Sequence, residues 1–306
     1  MHSIMHNKYI VGFLLVFGFF TGISVAHSKT LVDMQTNYGL ITLQLEDEIA
    51  PITVSNFLTY VDAGFYDGLV FHRIIKGFMS QGGGFNTALE KQATRAPIPL
   101  ESNVGLQNLR GTIAMARTSV PDSASSQFFI NAVDNSFLDY LDENSPGYAV
   151  FGKVIAGMEV VDAINQVATN ARDLPLETVL IEAVRRREAQ LNFAMQNSYR
   201  AGDTFTIELE ETMARRVALD LWVAVLMPDN RLLFFTEQGV VSTPTAFKTA
   251  VPTTETRHVI YSIPVPEGFS GQYMLAAVFN KQGAGLERLT QTLRSNLAKI
   301  TLEFVQ

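Results

Sequence analysis

One stretch of the chain, Phe71–Phe85, combines a cation, an amide and large apolar side chains in a strand-like pattern. Side chains of an extended segment alternate between two faces, so Arg73, Met79 and Gln81 should share one face. His72 should take the opposite face. The shared face offers a guanidinium, a carboxamide and a thioether, none of which titrates near neutral pH. This composition predicts a binding surface with one permanent charge rather than a proton-transfer site.

A second stretch, Gly111–Ile130, supplies a matching surface. By the same alternation Gln127 and Phe129 share a face of their strand. The two stretches together present one guanidinium, two carboxamides, a thioether and an aromatic ring. The glycines at 82–84 allow the backbone to turn sharply beside these groups.

Other catalytic chemistries lack the residues that they need. Of five histidines, only His72 and His258 follow residue 27, which is too few for a histidine-rich metal site or a Ser-His-Asp triad. We expect His72 to be a core histidine with its hydrogen bonds satisfied. The glycines at 82–84 are not followed by Lys-Ser or Lys-Thr, so they do not form a nucleotide-binding loop. We therefore expect no cofactor and no metal.

Length and charge narrow the class of protein. The 306 residues suggest two domains, and the formal net charge is −7. An acidic chain without a basic patch argues against nucleic-acid binding. The only basic cluster, Arg185–Arg187, is followed by Glu188 and is typical of a solvated strand end or a linker. The chain has no cysteine, which excludes disulfides and a lipoprotein anchor.

The first 26 residues predict a secretory signal peptide. Lys8 is followed by an apolar run from Tyr9 to Val25, and Ser24-Val25-Ala26 has the small-x-small pattern of a cleavage site. The alternative is an uncleaved membrane anchor, since the run is long enough to span a bilayer, although its glycines weaken it as a helix. Cleavage would remove one positive charge and leave a net charge of −8, with no membrane attachment.

Short strands dominate residues 29–187. Helical spacing predicts only two helices, one from Pro51 to Val61 and one from Met158 to Val167. Strand patterns occur in a pair within 30–46 and at 69–75, 78–81, 112–116, 127–131, 148–154 and 178–184. Many short strands with two helices predict a closed or nearly closed β-barrel.

The pattern changes after a predicted linker at 188–196. Residues 197–306 predict a smaller all-β domain, sandwich-like, with six strands separated by turn signals. These strands are Phe205–Leu209, Val217–Leu226, Leu232–Phe235, His258–Ile263, Met274–Phe279 and Ile300–Phe304. Trp222, Tyr261 and Tyr273 either form a partner-binding face, for example for an envelope protein, or belong to the core, which is the commoner place for aromatic residues in sandwich strands.

The two stretches resemble the cyclophilin-type peptidyl-prolyl cis-trans isomerases, above all the exported bacterial members. The likeness includes Phe137-Leu138-Asp139 and Tyr148–Val154 and covers roughly residues 29–187. It implies an eight-stranded antiparallel barrel with two helices. It also implies an isomerase that acts on proline-containing polypeptides without a cofactor and assists the folding of exported proteins. A periplasmic location follows from this likeness and the signal peptide, with secretion as the alternative.

The resemblance assigns a role to each matching position. Arg73 resembles the family's catalytic arginine, and Gln81 resembles the glutamine that holds this arginine and the substrate backbone. The implied catalytic residues are Arg73, Phe78, Gln81 and Phe129, and the implied substrate-binding residues are Met79, Ala116, Arg117, Gln127, Phe137, Leu138 and Tyr148. Phe78, Met79, Phe129 and Leu138 would be the walls of a proline pocket.

Three positions depart from the family's common residues. Phe137 stands where many members have tryptophan, which implies weak cyclosporin binding. Tyr148 stands where many have histidine, and Arg117 replaces a common asparagine, which leaves the substrate preference open. Two alternatives remain: Arg73 could form only a surface salt bridge, with the apolar residues as ordinary core, or the protein could be a chaperone module that holds proline-containing segments without turnover.

Overall fold

A computed structural model describes residues 29–305. The predicted signal peptide lies outside these residues. The first half of the described chain contains β1 (Leu31–Thr36), β2 (Gly39–Leu45), α1 (Pro51–Asp62), β3 (Leu69–Ile75), β4 (Met79–Asn86), β5 (Thr112–Met115), β6 (Phe128–Asn131), β7 (Val150–Ala156), α2 (Met158–Asn165) and β8 (Ile181–Arg187). Short 3-10 helices occur at Pro121–Ser123 and Ser136–Leu138.

The eight strands form one antiparallel sheet in the order β3-β4-β6-β5-β7-β2-β1-β8. The sheet curls until its edge strands meet. Gly68 N–H donates to the carbonyl of Ile181 at 2.9 Å, and Phe71 N–H donates to that of Val179 at 3.0 Å. The predicted mainly β, barrel-like fold with two helices is confirmed.

Apolar side chains fill the inside of this barrel. Phe57 of α1 packs against Phe128 and Phe151, with ring centroids 5.9 and 5.1 Å away. Val161 and Ile164 of α2 are also buried against the barrel. An eight-stranded barrel is just wide enough for side chains to fill. A binding site on this fold must therefore lie outside the barrel interior.

The start of α1 is held by a distant carboxylate. Pro51 opens the helix, where its missing N–H costs no hydrogen bond. The Glu101 carboxylate accepts hydrogen bonds from the N–H groups of Ile52 (3.1 Å) and Thr53 (2.6 Å). A negative charge at a helix N-terminus is favourable because the helix dipole is positive there. This contact fixes the long loop between β4 and β5 to the barrel.

The second half of the described chain contains β9 (Leu191–Phe193), β10 (Ser198–Arg200), β11 (Thr204–Glu211), β12 (Leu219–Leu226), β13 (Leu232–Thr236), β14 (Gly239–Val241), β15 (Lys248–Val251), β16 (Arg257–Pro264), β17 (Gly271–Lys281), α3 (Leu289–Thr292) and β18 (Ala298–Val305). One sheet has the order β10-β18-β17-β12-β13-β14, with β15 also on β12, and the other has the order β16-β11-β9. Both sheets contribute to one apolar core. The sequence predicted six strands within 197–306, whereas the described residues there form nine, β10–β18, because strands of three or four residues are too short to show a pattern.

Ionisable residues are buried in this second region. The Arg215 and His258 side chains are fully buried, and both contact Glu211. Arg215 Nε lies 2.6 Å from Glu211 Oε2, and His258 Nε2 lies 2.9 Å from Glu211 Oε1. Buried charges are tolerated when they are paired in this way. His258 therefore has a structural explanation.

The junction contains structure that the sequence did not predict. The predicted linker at 188–196 contains β9, which pairs with β11. The basic cluster Arg185–Arg187 forms the end of β8, as one of its two interpretations had it, but it is not fully solvated, because each arginine is ion-paired, with Asp67, Asp62 and Asp33 respectively. Arg185 Nε also donates to the carbonyl of Gln291, at 2.6 Å, which ties the barrel to the second region. Sequence reasoning missed these pairs because the acids are more than 100 positions away.

Among residues 29–305, none of the helices has the length and apolar character needed to cross a membrane.

Candidate functional site

The predicted site begins as a row of directly paired residues across three neighbouring strands. Arg73 of β3 lies opposite Gln81 of β4, and Gln81 lies opposite Phe129 of β6. Residues paired in this way project from the same face of a sheet, with Cβ atoms about 5 Å apart. Met79 lies two residues before Gln81 and shares this face. The structure thus brings together four of the five side chains that the alternation pattern grouped; the fifth is Gln127.

An apolar cluster forms the floor of this outer face, separate from the barrel interior. Its buried members are Met79, Ala114, Phe129 and Val150. The half-buried residues packed against it include Phe78, Ala116, Leu138 and Tyr148. Phe137 is 73% exposed and stacks on Phe78, with ring centroids 5.5 Å apart. All the apolar residues of the predicted site therefore lie in this outer cluster or directly beside it.

The two glutamines bind each other above the strands. Gln81 Nε2 donates to Gln127 Oε1 at 2.9 Å. The Gln127 side chain runs so close to β4 that a Cβ on Gly84 would lie 2.6 Å from it. A glycine is required there if Gln127 is to keep this position.

Arg73 is held by a residue that no motif predicted. Its Nε donates to Asp173 Oδ2 at 3.3 Å, and both side chains are partly exposed. Asp173 is placed by its backbone, which has a φ of 62° and whose carbonyl accepts the N–H of Ile74 at 2.8 Å. Gln81 makes no hydrogen bond to Arg73, so the expectation that Gln81 holds the arginine is wrong for this structure. The salt bridge considered as the alternative for Arg73 does form.

A β-bulge changes the direction of His72. Phe71 pairs with Gly82 and Arg73 with Gln81, so two steps along β3 match one step along β4. The extra residue is His72, which packs against the Phe85 ring at 4.5 Å instead of entering the core beside Ile74. Its Nδ1 has no hydrogen-bond partner within residues 29–305, so the expected satisfied core histidine is not found. Bulges of this kind often re-aim side chains beside active sites.

Burial keeps His72 neutral. It lowers the pKa of His72 to about 4, and the nearby Arg73 charge acts in the same direction. At neutral pH the fixed charges of the site are therefore those of arginine and carboxylate side chains.

Arg117 is tied to the loop that borders the site. Its Nε donates to the Gly147 carbonyl at 2.9 Å, and its guanidinium lies 4.6 Å from the centre of the Tyr148 ring. Tyr148 in turn packs edge-on against Phe129, at 5.6 Å. The two unusual residues at these positions thus form one stack at the edge of the apolar cluster.

A match to a known family agrees with this geometry. The family model described as "Cyclophilin type peptidyl-prolyl cis-trans isomerase/CLD" matches residues 31–186, which is half of the chain. The chain belongs to the cyclophilins. Residues 31–186 include β1 to β7, all of β8 except its last residue, and every residue of the predicted site.

Two relatives illustrate the similarity. Peptidyl-prolyl cis-trans isomerase A of Dickeya dadantii is 50% identical over 164 residues, which cover 52% of this chain and 86% of the relative. Peptidyl-prolyl cis-trans isomerase B of Escherichia coli is 51% identical over 160 residues, covering 50% of this chain and 98% of the relative. A solved cyclophilin from Cryptosporidium parvum is 26% identical, covers 52% of this chain and 98% of its own, and aligns with a TM-score of 0.45. The predicted family and its enzyme class, peptidyl-prolyl isomerase, are confirmed.

A network of buried asparagines supports the cyclophilin site from below. Asn135 Nδ2 donates to the Phe78 carbonyl at 3.1 Å and to Asn131 Oδ1 at 2.8 Å. Asn108 Nδ2 donates to the Leu138 carbonyl at 3.1 Å. All three asparagines are buried. The network fixes the backbone of two predicted pocket residues, and single asparagines scattered along a sequence give no signal of it.

Proposed function

We propose that this cyclophilin accelerates rotation about X-Pro bonds with Arg73 as the catalytic group. The observation that supports this most directly is the row Arg73–Gln81–Phe129, which sets one guanidinium beside a buried apolar cluster. The proline ring of a substrate would bind at that cluster. The polar groups of Gln81 and Gln127 would bind the substrate backbone next to it.

The chemistry of the bond explains why an arginine suits this task. Amide conjugation gives a barrier of about 18–20 kcal/mol, so unassisted rotation takes on the order of tens of seconds. Twisting the bond returns a lone pair to the proline nitrogen. A donor aimed at this nitrogen gains a hydrogen bond mainly in the twisted state and therefore lowers the barrier. Arginine is always charged and has several donors. No covalent bond is made or broken, so the step needs no cofactor.

The magnitudes define what Arg73 and its surroundings each contribute. An acceleration of about 10⁵-fold needs roughly 7 kcal/mol of differential stabilisation. One charge-assisted hydrogen bond supplies about 1.5–3 kcal/mol of it. The remainder must come from the apolar pocket, in which Phe78, Met79, Phe129 and Leu138 hold the ring while the acyl side turns. Asp173 acts as a positioning residue, since it binds Arg73 through Nε and leaves both Nη groups for the substrate.

Replacing Arg73 tests the proposal. Arg73→Ala should lower kcat/KM for a prolyl tetrapeptide by about 10- to 160-fold, the factor that 1.5–3 kcal/mol corresponds to. Arg73→Lys should retain part of the activity. The melting temperature checks that the fold is intact. Arg172→Ala is the matched control, since Arg172 is an exposed arginine next to Asp173 in the chain. Activity near wild type in Arg73→Ala would reject the role. If Arg73→Ala still binds unfolded polypeptide and keeps its chaperone activity, the alternative is favoured, a chaperone module that holds proline-containing segments without turnover.

The proposal also covers the cellular location of the protein and its substrates. The apolar segment and cleavage pattern within residues 1–26 support export. We therefore place the protein in the periplasm, where it would isomerise proline bonds in exported proteins, with an envelope protein as a partner of the C-terminal region. Cell fractionation with sequencing of the mature N-terminus tests this, and an uncleaved chain in the cytoplasm would contradict it.

Cyclosporin binding should be weak. Phe137 is exposed on Phe78 and has no indole N–H to donate. Phe137→Trp should increase cyclosporin affinity, measured by inhibition of isomerase activity, while leaving uninhibited kcat/KM within a factor of two or so. Equal inhibition of the two proteins would show that this position does not control the affinity.

A further inference from the structure

The second region contains an apolar cavity between its two sheets. Phe205, Tyr261 and Ile263 line it from the three-stranded sheet, and Val225, Leu275 and Phe304 line it from the larger sheet. Its volume is about 240 Å³. Protein interiors are normally packed with few voids larger than a water molecule, so a space of this size is unusual between two packed sheets.

The chemistry of the wall restricts what can enter. Every residue that lines the cavity is aliphatic, aromatic, methionine or proline, and no polar surface faces it. A charged or hydrogen-bonding group would lose its water there without gaining a partner, which is costly. Water itself needs two to four polar partners to occupy a cavity. The ligand that fits is therefore a hydrocarbon group.

Size restricts the ligand further. A cavity of about 150 Å³ with apolar walls suffices for benzene, whereas sites for drug-sized ligands occupy about 300–1,000 Å³. A volume of about 240 Å³ lies between these values and suits one short chain or one pair of fused rings. It is too small for a folded peptide element such as a helix.

The cavity is open to solvent where residues of its wall are exposed. Val240 and Phe269 line it and are 43% and 38% exposed. Phe269 stacks on Tyr273 at 5.3 Å and packs edge-on against Phe304 at 4.8 Å, so the aromatic wall continues from the opening inward. A polar head would stay outside this opening while the tail enters.

We propose that the C-terminal region binds a single hydrocarbon tail of an amphiphile in this cavity. The tail enters past Val240 and Phe269 and packs between the two sheets. The inference is independent of the isomerase site, because none of the residues predicted for that site lines the cavity. It also gives Tyr261 and Tyr273 a role that is neither sealed core nor a protein-binding face.

Fluorescence of N-phenyl-1-naphthylamine bound to the purified full chain tests the proposal. We expect saturable binding of one probe per chain and displacement by decanoate. Val240→Trp at the opening should weaken probe binding at least tenfold. Val259→Trp is the matched control, since Val259 is 60% exposed and does not line the cavity. An unchanged far-ultraviolet circular dichroism spectrum and melting temperature in both variants would show that the second region remains folded.

An experiment with lipid vesicles distinguishes the two sources of such a tail, a membrane lipid and a free amphiphile. If the chain co-sediments with phosphatidylethanolamine–phosphatidylglycerol vesicles and Val240→Trp abolishes this co-sedimentation, the tail belongs to a membrane lipid. If the chain binds decanoate but does not sediment with the vesicles, the tail belongs to a free amphiphile. The absence of saturable probe binding would overturn the proposal, as would equal binding by the two tryptophan variants. Displacement of the probe by a permanently unfolded polypeptide but not by decanoate would also overturn it.

Discussion

Replacing Asp173 by alanine should reduce isomerase activity by a small factor that the structure allows us to estimate. The pair joins Arg73 Nε to Asp173 Oδ2 at 3.3 Å, with the side chains 45% and 38% exposed. Exposed ion pairs contribute about 0.2–1 kcal/mol. If that energy serves only to hold the guanidinium in place, kcat/KM should fall by about 1.4- to 5-fold. The loss should appear in kcat more than in KM, because the interaction orients the group that acts in the transition state.

A double-mutant cycle separates this role from a structural one. The rate of cis-to-trans conversion of a prolyl peptide is measured for wild type, Arg73→Ala, Asp173→Ala and the double variant. Asp173→Ala should have no further effect once Arg73 is absent, since the two residues then no longer interact. In the protein that retains Arg73, the loss of activity caused by Asp173→Ala should also shrink at high salt, because salt screens exposed ion pairs. Arg172→Ala, one position away and exposed, should behave like wild type.

Two results would refute the reasoning. One is an equal loss of activity on removing Asp173 with and without Arg73, which would mean that Asp173 acts by holding its loop. The other is a loss of more than about tenfold in Asp173→Ala, since an exposed pair does not supply so much energy.

Two further predictions concern residues around the site. The pKa of His72 is about 4 in the folded protein and about 6.5 when unfolded, so its contribution to stability is present above pH 6.5 and is lost as the pH falls toward 4. The free energy of unfolding measured in urea should therefore fall by roughly 2 kcal/mol between pH 7 and pH 5. His72→Gln should remove this pH dependence, whereas an unchanged pH dependence in the variant would assign it to other groups. Asn135→Ala should leave the Phe78 carbonyl without its side-chain donor and lower the free energy of unfolding by about 1–3 kcal/mol. It should also raise KM for a peptide substrate. Asn103 is exposed, and Asn103→Ala should change neither quantity.

Periodic patterns and local turn chemistry made most of the barrel predictable. The helix expected from Pro51 to Val61 runs from Pro51 to Asp62, because proline at the first turn and apolar residues at helical spacing are both local signals. Alternation also grouped Met79 with Gln81 and Gln127 with Phe129, although the pairing of Gln81 with Phe129 itself comes from the structure. Each of these inferences needs only residues that are close in sequence.

The features that were missed depend on contacts between distant residues. The bulge at His72 arises from the pairing of β3 with β4, and β3 on its own shows an unbroken alternation. Asp173 lies 100 positions from Arg73, in a segment whose sequence indicates only a turn. The resemblance to cyclophilins did not supply this partner either, since it assigned the holding role to Gln81.

The closed interior of the barrel explains why the site has the composition that it does. Phe128 faces the filled interior and belongs to the main core, whereas its neighbour Phe129 faces outward and belongs to the separate apolar cluster. One short strand thus serves stability with one face and, in the function that we propose, substrate binding with the other. A guanidinium at the border of the outer cluster keeps its water and its carboxylate partner, so its charge costs little in the free protein. Binding of a proline-containing segment would displace that water, and the same charge then interacts strongly with a lone pair beside an apolar floor.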